Sequence, residues 1–309
     1  VLIYVAQRLL VAIPTLLIIV MASFFLMHGA PGGPFDADAQ LEPEVLENIR
    51  AAYDLDKPVP LQFWLYLKGL LGGDFGPSIV YKDFNVTELI AVGLPVSLKL
   101  GLSAMLLAVV LGGLGGIMAA LRQNGWVDYT IMAVAMTGIA LPSFVLAPIL
   151  ALVFGLYLSL LPVAGWNDGA VANMVLPVIA LALPQVAVIA RLMRGGMLEV
   201  LGSNFVRTAR AKGLSEAQVV SRHVLKTAVT PLISYLGPAL AGIMTGSVVI
   251  EQIFNLPGLG RYFVQGALNR DYPVVMGIVV VYAATIILLN LLTDLAYGSL
   301  DPRVRRGER

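Results

Sequence analysis

Val96-Ser-Leu-Lys-Leu-Gly-Leu-Ser-Ala-Met-Leu-Leu-Ala-Val-Val-Leu-Gly-Gly-Leu-Gly-Gly-Ile-Met-Ala-Ala-Leu121 carries one charge, Lys99, in a run of small and aliphatic residues. About 20 such residues, wound as a helix, cross the roughly 30 Å hydrocarbon core of a bilayer. The run therefore reads as a membrane-crossing helix. Lys99 lies a few residues inside one edge, where its stem can stay in the apolar zone while the ammonium reaches outward. A substrate-binding role is the alternative for this lysine.

Five further stretches read the same way: Leu9–Met27, Tyr129–Tyr157, Met174–Leu192, Ala228–Ile250 and Val274–Leu295. The expected fold is all-α and integral to the membrane, with six transmembrane helices in a single transmembrane domain over residues 1–309. The first run is read as a retained helix and not a signal peptide. It is too long for one, and His28-Gly29-Ala30-Pro31 is not a small-residue cleavage pattern. The third run contains Pro142 and Pro148 and could be two short passes. Parity favours one, because Arg122 and the basic loop after the fourth span then share a side.

Composition supports a bilayer as the solvent. Hydrophobic residues make up 58% of the 309 positions and charged residues 13%, against about 25% charged in ordinary soluble domains. The net charge of +1 hides an asymmetry between loops. With the N-terminus inside, thirteen basic residues fall on the inner side and six on the outer. Basic loops stay in the cytoplasm, so both termini are expected there. The absence of cysteine excludes disulfides, thiolate metal sites and cysteine nucleophiles.

Residues 28–95 form an outer loop too long for a bare connection, so it should have structure of its own. Pro43 can open a helix with Val45, Leu46, Ile49 and Tyr53 on one side. Leu61–Leu71 carries Phe63, Trp64 and Tyr66, suited to the headgroup zone. Asn85, with Glu88 three residues on, reads as the cap of a short helix leading into the second span. Such a loop is either an amphipathic lid on the membrane or a platform for an external partner.

No catalytic constellation stands out. The two histidines, His28 and His223, fall on opposite sides of the membrane and cannot share a metal. The chain has no Gly-Lys dipeptide, hence no phosphate-cradling P-loop. Nothing points to nucleic acid. The spans lack the mid-bilayer carboxylates that ion-coupled carriers use, so a transport path here would draw its energy from elsewhere. The spans do hold small and helix-breaking residues: Gly112, Gly113, Gly115 and Gly116 in the second, Gly237, Pro238, Gly242 and Gly246 in the fifth. These serve close packing or form bendable gate helices. Candidates for the pathway or its gate are Lys99, Pro142, Gly242, Gly246, Ser247 and Glu251.

The most informative segment is the cytoplasmic loop 194–227. Ser203 can cap a helix whose C-terminal end is favoured by Arg207, Arg210 and Lys212. Gly213 ends it. Ser215 with Gln218 forms a capping box for a second helix. Phe205, Val206 and Ala209 give the first helix an apolar edge. A basic helix of about nine residues is marginal alone, so it reads as a docking knob held by a partner.

Ala209-Arg-Ala-Lys-Gly213 resembles the EAA loop of permeases in ATP-binding cassette importers. Gly213, Ala209 and Leu225 match that motif. Arg207, Thr208, His223 and Lys226 depart from it. The longer text Arg207-Thr-Ala-Arg-Ala-Lys-Gly-Leu214 is similar to the form found in the dipeptide, oligopeptide and nickel permease subfamily. So are Gly246-Ser247-x-x-Ile250-Glu251-x-Ile253-Phe254-x-x-Pro257-Gly258-x-Gly260, Ala267-Leu-Asn-Arg-Asp-Tyr272, Asp301-Pro302, Ala30-Pro31-Gly32 and Gly73-Asp74-Phe75-Gly76. The long acidic outer loop is similar to that of the first, B-type, of the two permease subunits in such systems.

The resemblance implies a type I importer permease in the bacterial inner membrane, itself non-catalytic. Its partners would be a second related permease, two cytoplasmic ATPases and an external solute-binding protein. ATP and Mg would bind the ATPases, and this chain would hold no cofactor. Phe205, Arg207, Thr208, Ala209, Arg210, Ala211, Lys212, Gly213 and Leu214 would form the ATPase-coupling surface. Peptides would be the substrate, with glutathione, nickel chelates and peptide antibiotics as alternatives. From outside the subfamily, a secondary transporter, a channel or a membrane assembly factor would be the competing class.

Overall fold

A computed structural model describes residues 2–29, 56–81 and 83–300. The expected helix after Pro43 and the motifs at Ala30-Pro31-Gly32 and Asp301-Pro302 lie outside them. The described chain is helical, with no strand among these residues. In chain order the helices are α1 (Leu2–Gly29), α2 (Val59–Leu71), α3 (Val86–Leu121), α4 (Trp126–Ala140), α5 (Ser143–Leu150), α6 (Val171–Leu201), α7 (Asn204–Ala211), α8 (Glu216–Val219), α9 (Leu225–Ala228), α10 (Thr230–Ile253), α11 (Leu259–Leu268) and α12 (Tyr272–Leu300). Stretches of π-helix follow α5 over Ala151–Tyr157 and α8 over Val220–Val224.

Five helices (α1, α3, α6, α10 and α12) are long and apolar enough to cross a membrane. The third expected span is the bent pair α4 and α5, which turns by 102° at its break and makes a sixth crossing if taken as one. The break has a local cause. A residue before proline is pushed out of the helical region, and Leu141 is extended at φ −95°, ψ 113°. Pro142 then starts α5 afresh. Pro177 and Pro184 in α6 and Pro238 in α10 leave their helices continuous.

Several helices outrun their apolar runs. The second span starts at Val86, so Asn85 caps the long helix itself and not a separate short one. Asn85 Oδ1 accepts the Thr87 N–H at 2.9 Å, and Glu88 Oε2 accepts the Asn85 N–H at 3.1 Å. The fourth span continues to Leu201, nine residues beyond its apolar run. Hydropathy marks where a helix meets lipid and is blind to the polar turns that follow.

The chain forms two compact units, and α3 and α12 each pass from one into the other. In the unit holding Ser97–Leu256, α6 is the central helix and packs on α4, α5, α9 and α10. Gly112 and Gly116 of α3 let it approach α6. A Cβ there would come within 2.7 Å of Val186 O and 2.5 Å of Ala190 O. The close-packing reading therefore holds for these two glycines. Gly242 and Gly246 are different, with nothing nearer than 3.6 and 3.8 Å to an added Cβ.

In the unit holding Leu2–Val96 and Pro257–Thr285, Phe24 of α1 and Tyr272 and Met276 of α12 form a core that Phe63 and Tyr66 of α2 cover. Trp64 of α2 stays exposed. A second core joins Val86, Leu89 and Ile90 to Leu259, Val274 and Ile278. Asp271, fully buried, ties the turn at residues 78–80 to the start of α12. Its Oδ2 accepts from Ser78 Oγ at 2.5 Å and from the Ile79 and Val80 N–H groups at 3.1 and 3.0 Å, and its Oδ1 accepts from the Val274 N–H at 3.3 Å.

Candidate coupling helix and pathway face

The segment after α6 forms the short helix that its sequence announces. Helix α7 is eight residues long. Val206 and Ala209 are buried, whereas Arg207, Thr208, Arg210, Ala211, Lys212 and Gly213 are exposed and Leu214 is half-buried. Two local expectations need correction. Phe205 is not part of the inward apolar edge; it is 47% exposed. Val206 and Ala209 take the inward side, and Phe205 falls at its margin. Ser203 occupies the capping position, but its hydroxyl donates to Val200 O at 2.6 Å and does not accept from α7.

Gly213 ends the helix at φ +81°, the left-handed region that side chains disfavour. The capping box after it is complete. Ser215 Oγ accepts the Gln218 N–H at 3.4 Å and Gln218 Oε1 accepts the Ser215 N–H at 3.2 Å. Arg210 donates to both carboxylate oxygens of Glu216, from Nε at 2.7 Å and Nη2 at 3.1 Å, bracing α7 against α8. That guanidinium holds the Glu216 carboxyl below the usual carboxylate range. The surface presents an aromatic side chain among cations on a pinned frame, suited to entering a cleft on a protein partner.

The six candidates for pathway or gate separate. Ser247 and Glu251 are fully buried, and Ser247 Oγ donates to Met244 O at 2.8 Å. They belong to the packed interior of α10 and line no surface. Pro142 makes the break described above. Lys99 does not simply reach outward: its Nζ donates to Gly169 O at 3.1 Å and lies 5.3 Å from the centre of the Trp166 ring. Gly242 is exposed and Gly246 half-buried.

Gly242 belongs to a larger pattern. The exposed positions of α10 are Pro231, Ser234, Pro238, Gly242, Thr245, Val249 and Gln252, one face at helical spacing. Val249 is the only large aliphatic among them. Most exposed positions of α1 and α3 are instead large and apolar, among them Leu10, Ile13, Leu17 and Met21, and Leu102, Leu106, Leu114 and Met118, although Thr15, Glu88 and Lys99 are exposed too. Lipid tails suit the second kind of face. A small and polar face on a membrane-crossing helix suits water, a polar solute or another helix.

The described residues hold no cluster of histidine, cysteine or carboxylate able to bind a metal. Membrane-crossing helices joined to a braced basic helix define a multi-pass integral membrane protein. Residues 112–306 match the family described as binding-protein-dependent transport system inner membrane component, and residues 1–81 match its N-terminal counterpart. The chain belongs to this family and is a multi-pass permease of the inner membrane. It is 52% identical over 302 residues to the oligopeptide transport system permease protein OppB of Salmonella typhimurium, covering 98% of this chain and 99% of that protein. It is 44% identical to the dipeptide transport system permease protein DppB of Bacillus subtilis, covering 98% and 97%. Among solved structures it is similar in fold to the inward-facing MetNI methionine ABC transporter, with a TM-score of 0.60, 17% identity, and coverage of 69% of this chain and 96% of that one.

Proposed function

We propose that this chain forms half of a translocation pathway for oligopeptides or dipeptides, handed over by an external binding protein and driven by ATP hydrolysis elsewhere in the complex. The single observation that carries this reading is end-to-end similarity at 52% identity to a permease named for oligopeptide transport. The local geometry supports it. A second, related permease would complete the pathway. Two cytoplasmic ATPases would bind ATP and Mg, and one would receive Phe205, Arg207, Arg210 and Lys212 of α7. This chain would do no chemistry itself. Residues 28–95 would then face outward and 194–227 inward. The small and polar face of α10, with Gly242 and Thr245 at its middle, would line the path. Such a face offers hydroxyls and backbone to a substrate whose common feature is its peptide backbone. Lys99 beside Trp166 would stand near the outer mouth, with N–H donors left for a peptide carboxylate.

Uptake tests this reading. Cells lacking the chain should lose accumulation of labelled di- and oligopeptides and regain it on complementation. Uptake should vanish when the ATPase partners are inactivated. Uptake that persists without the ATPases would favour a secondary carrier or channel. Loss of glutathione or nickel-chelate uptake with normal peptide uptake would reassign the substrate.

A further inference from the structure

Helix α6 carries α7 at one end and holds α4 along its side. Asp128, in the first turn of α4, is 1% exposed. Its Oδ1 accepts from Arg194 Nε at 2.6 Å and its Oδ2 from Arg194 Nη2 at 2.7 Å. The same Oδ2 accepts the N–H of Asn124 at 3.0 Å, in the left-handed turn just before α4. Arg194 stands on α6 ten residues before α7 begins, a rise of about 15 Å. Two parallel hydrogen bonds from a planar guanidinium fix both distance and rotation.

The rest of the α4–α6 contact is built mainly of small side chains, with Met132 of α4 packed against them. Ala135 packs on Ala187 and Ala190, and a Cβ on Gly138 would lie 2.9 Å from Leu183 O. Small side chains set how closely two helices approach, and carry no directional bond that fixes their register. The bidentate ion pair adds that directional bond. Two residues past Gly138, α4 ends and the chain turns by 102° at Leu141–Pro142. Helix α4 is thus pinned near its first turn, guided along its length and broken at its far end.

We propose that Asp128 and Arg194 are positioning residues that clamp α4 to α6, so that displacement of α7 arrives at the Leu141–Pro142 break as a hinge motion. This rests on the docking role given to α7 above. The clamp makes no contact with substrate or ATP in this account. It converts movement at the ATPase into a change of angle between α4 and α5.

The test uses the complete reconstituted complex. Arg194→Lys keeps the charge opposite Asp128 but loses the fork. The double variant Asp128→Asn/Arg194→Gln leaves no buried charge unpaired, so it should fold even if a single neutral variant does not. Because the native chain has no cysteine, spin labels at Ala133→Cys and Val145→Cys report the angle across the break. In the parent complex that distance should change on ATP binding. In both clamp variants the change should be lost and peptide imported per ATP should fall about tenfold, with normal yield of assembled complex. Normal hinge movement and normal import in either variant would overturn the clamp. Failure of both variants to assemble would also overturn it, leaving the pair a packing support. If Gly213→Val uncouples the complex while Arg194→Lys does not, the clamp alone is wrong. If neither uncouples it, the docking reading fails as well.

Discussion

Asp271 sits with both carboxylate oxygens occupied by donors from Ser78, Ile79, Val80 and Val274. An alanine in its place would strand three N–H groups and a hydroxyl in or near a buried site, each costing about 1–3 kcal/mol when unsatisfied. Asp271→Ala should therefore destabilise this unit by several times more than Asp271→Asn, which keeps an acceptor. Thermal unfolding of the detergent-solubilised protein, with limited proteolysis at residues 77–81, reads both. Equal stability of the two variants would show that the loop is held by packing alone. The sequence gives no hint of this tie, since Asp271 and Ser78 are 193 positions apart. Asp128 and Arg194, 66 apart, are hidden for the same reason. Spacing rules see neighbours along one helix, and these pairs meet only once helices have packed. Gly213 is the opposite case. Its left-handed φ was legible because a capping serine and basic residues bracketed it.

At the scale of elements, six apolar stretches were legible because each must match a fixed membrane thickness. What stayed unreadable was how they end and which side faces what. The break at Pro142 was visible as a proline, but Pro177, Pro184 and Pro238 looked the same and left their helices intact. Proline is tolerated within a membrane helix when neighbours satisfy the freed carbonyl. Ser247 and Glu251 stood among the pathway candidates, and the turn of α10 buries them and exposes Gly242 and Thr245. The reading of that face gives a prediction. Gly242→Leu and Thr245→Leu should leave insertion and assembly intact, because both positions are open to a larger side chain. Peptide uptake should fall about tenfold or more. Leu106→Ile or Leu114→Ile, on the lipid-type face of α3, is the control and should change little. Unchanged uptake in both α10 variants would remove this face from the pathway.

For the whole molecule, labour would be divided between chains. This one should bind no ATP when purified alone, because it has no Gly-Lys phosphate cradle. Stoichiometric nucleotide binding by the isolated subunit, measured by equilibrium dialysis, would contradict that. Orientation is checked on the cysteine-free background: Arg210→Cys should react with impermeant reagents in inverted vesicles and not in intact cells. Labelling in intact cells would invert the topology.

The central claim is that α7 passes the work of ATP hydrolysis to the membrane helices. Its most direct test is the reconstituted complex carrying Gly213→Val, with ATP hydrolysis and peptide uptake measured in the same proteoliposomes. A β-branched residue held at φ +81° is disfavoured by about 1–2 kcal/mol, and relieving that strain would tilt α7 away from its brace at Glu216. The complex should still assemble, but the loaded binding protein should no longer stimulate hydrolysis, and uptake should be lost with it. Arg207→Glu, which restores the general EAA pattern, should be milder. Normal stimulation and normal uptake with Gly213→Val would mean that the loop is a passive connector.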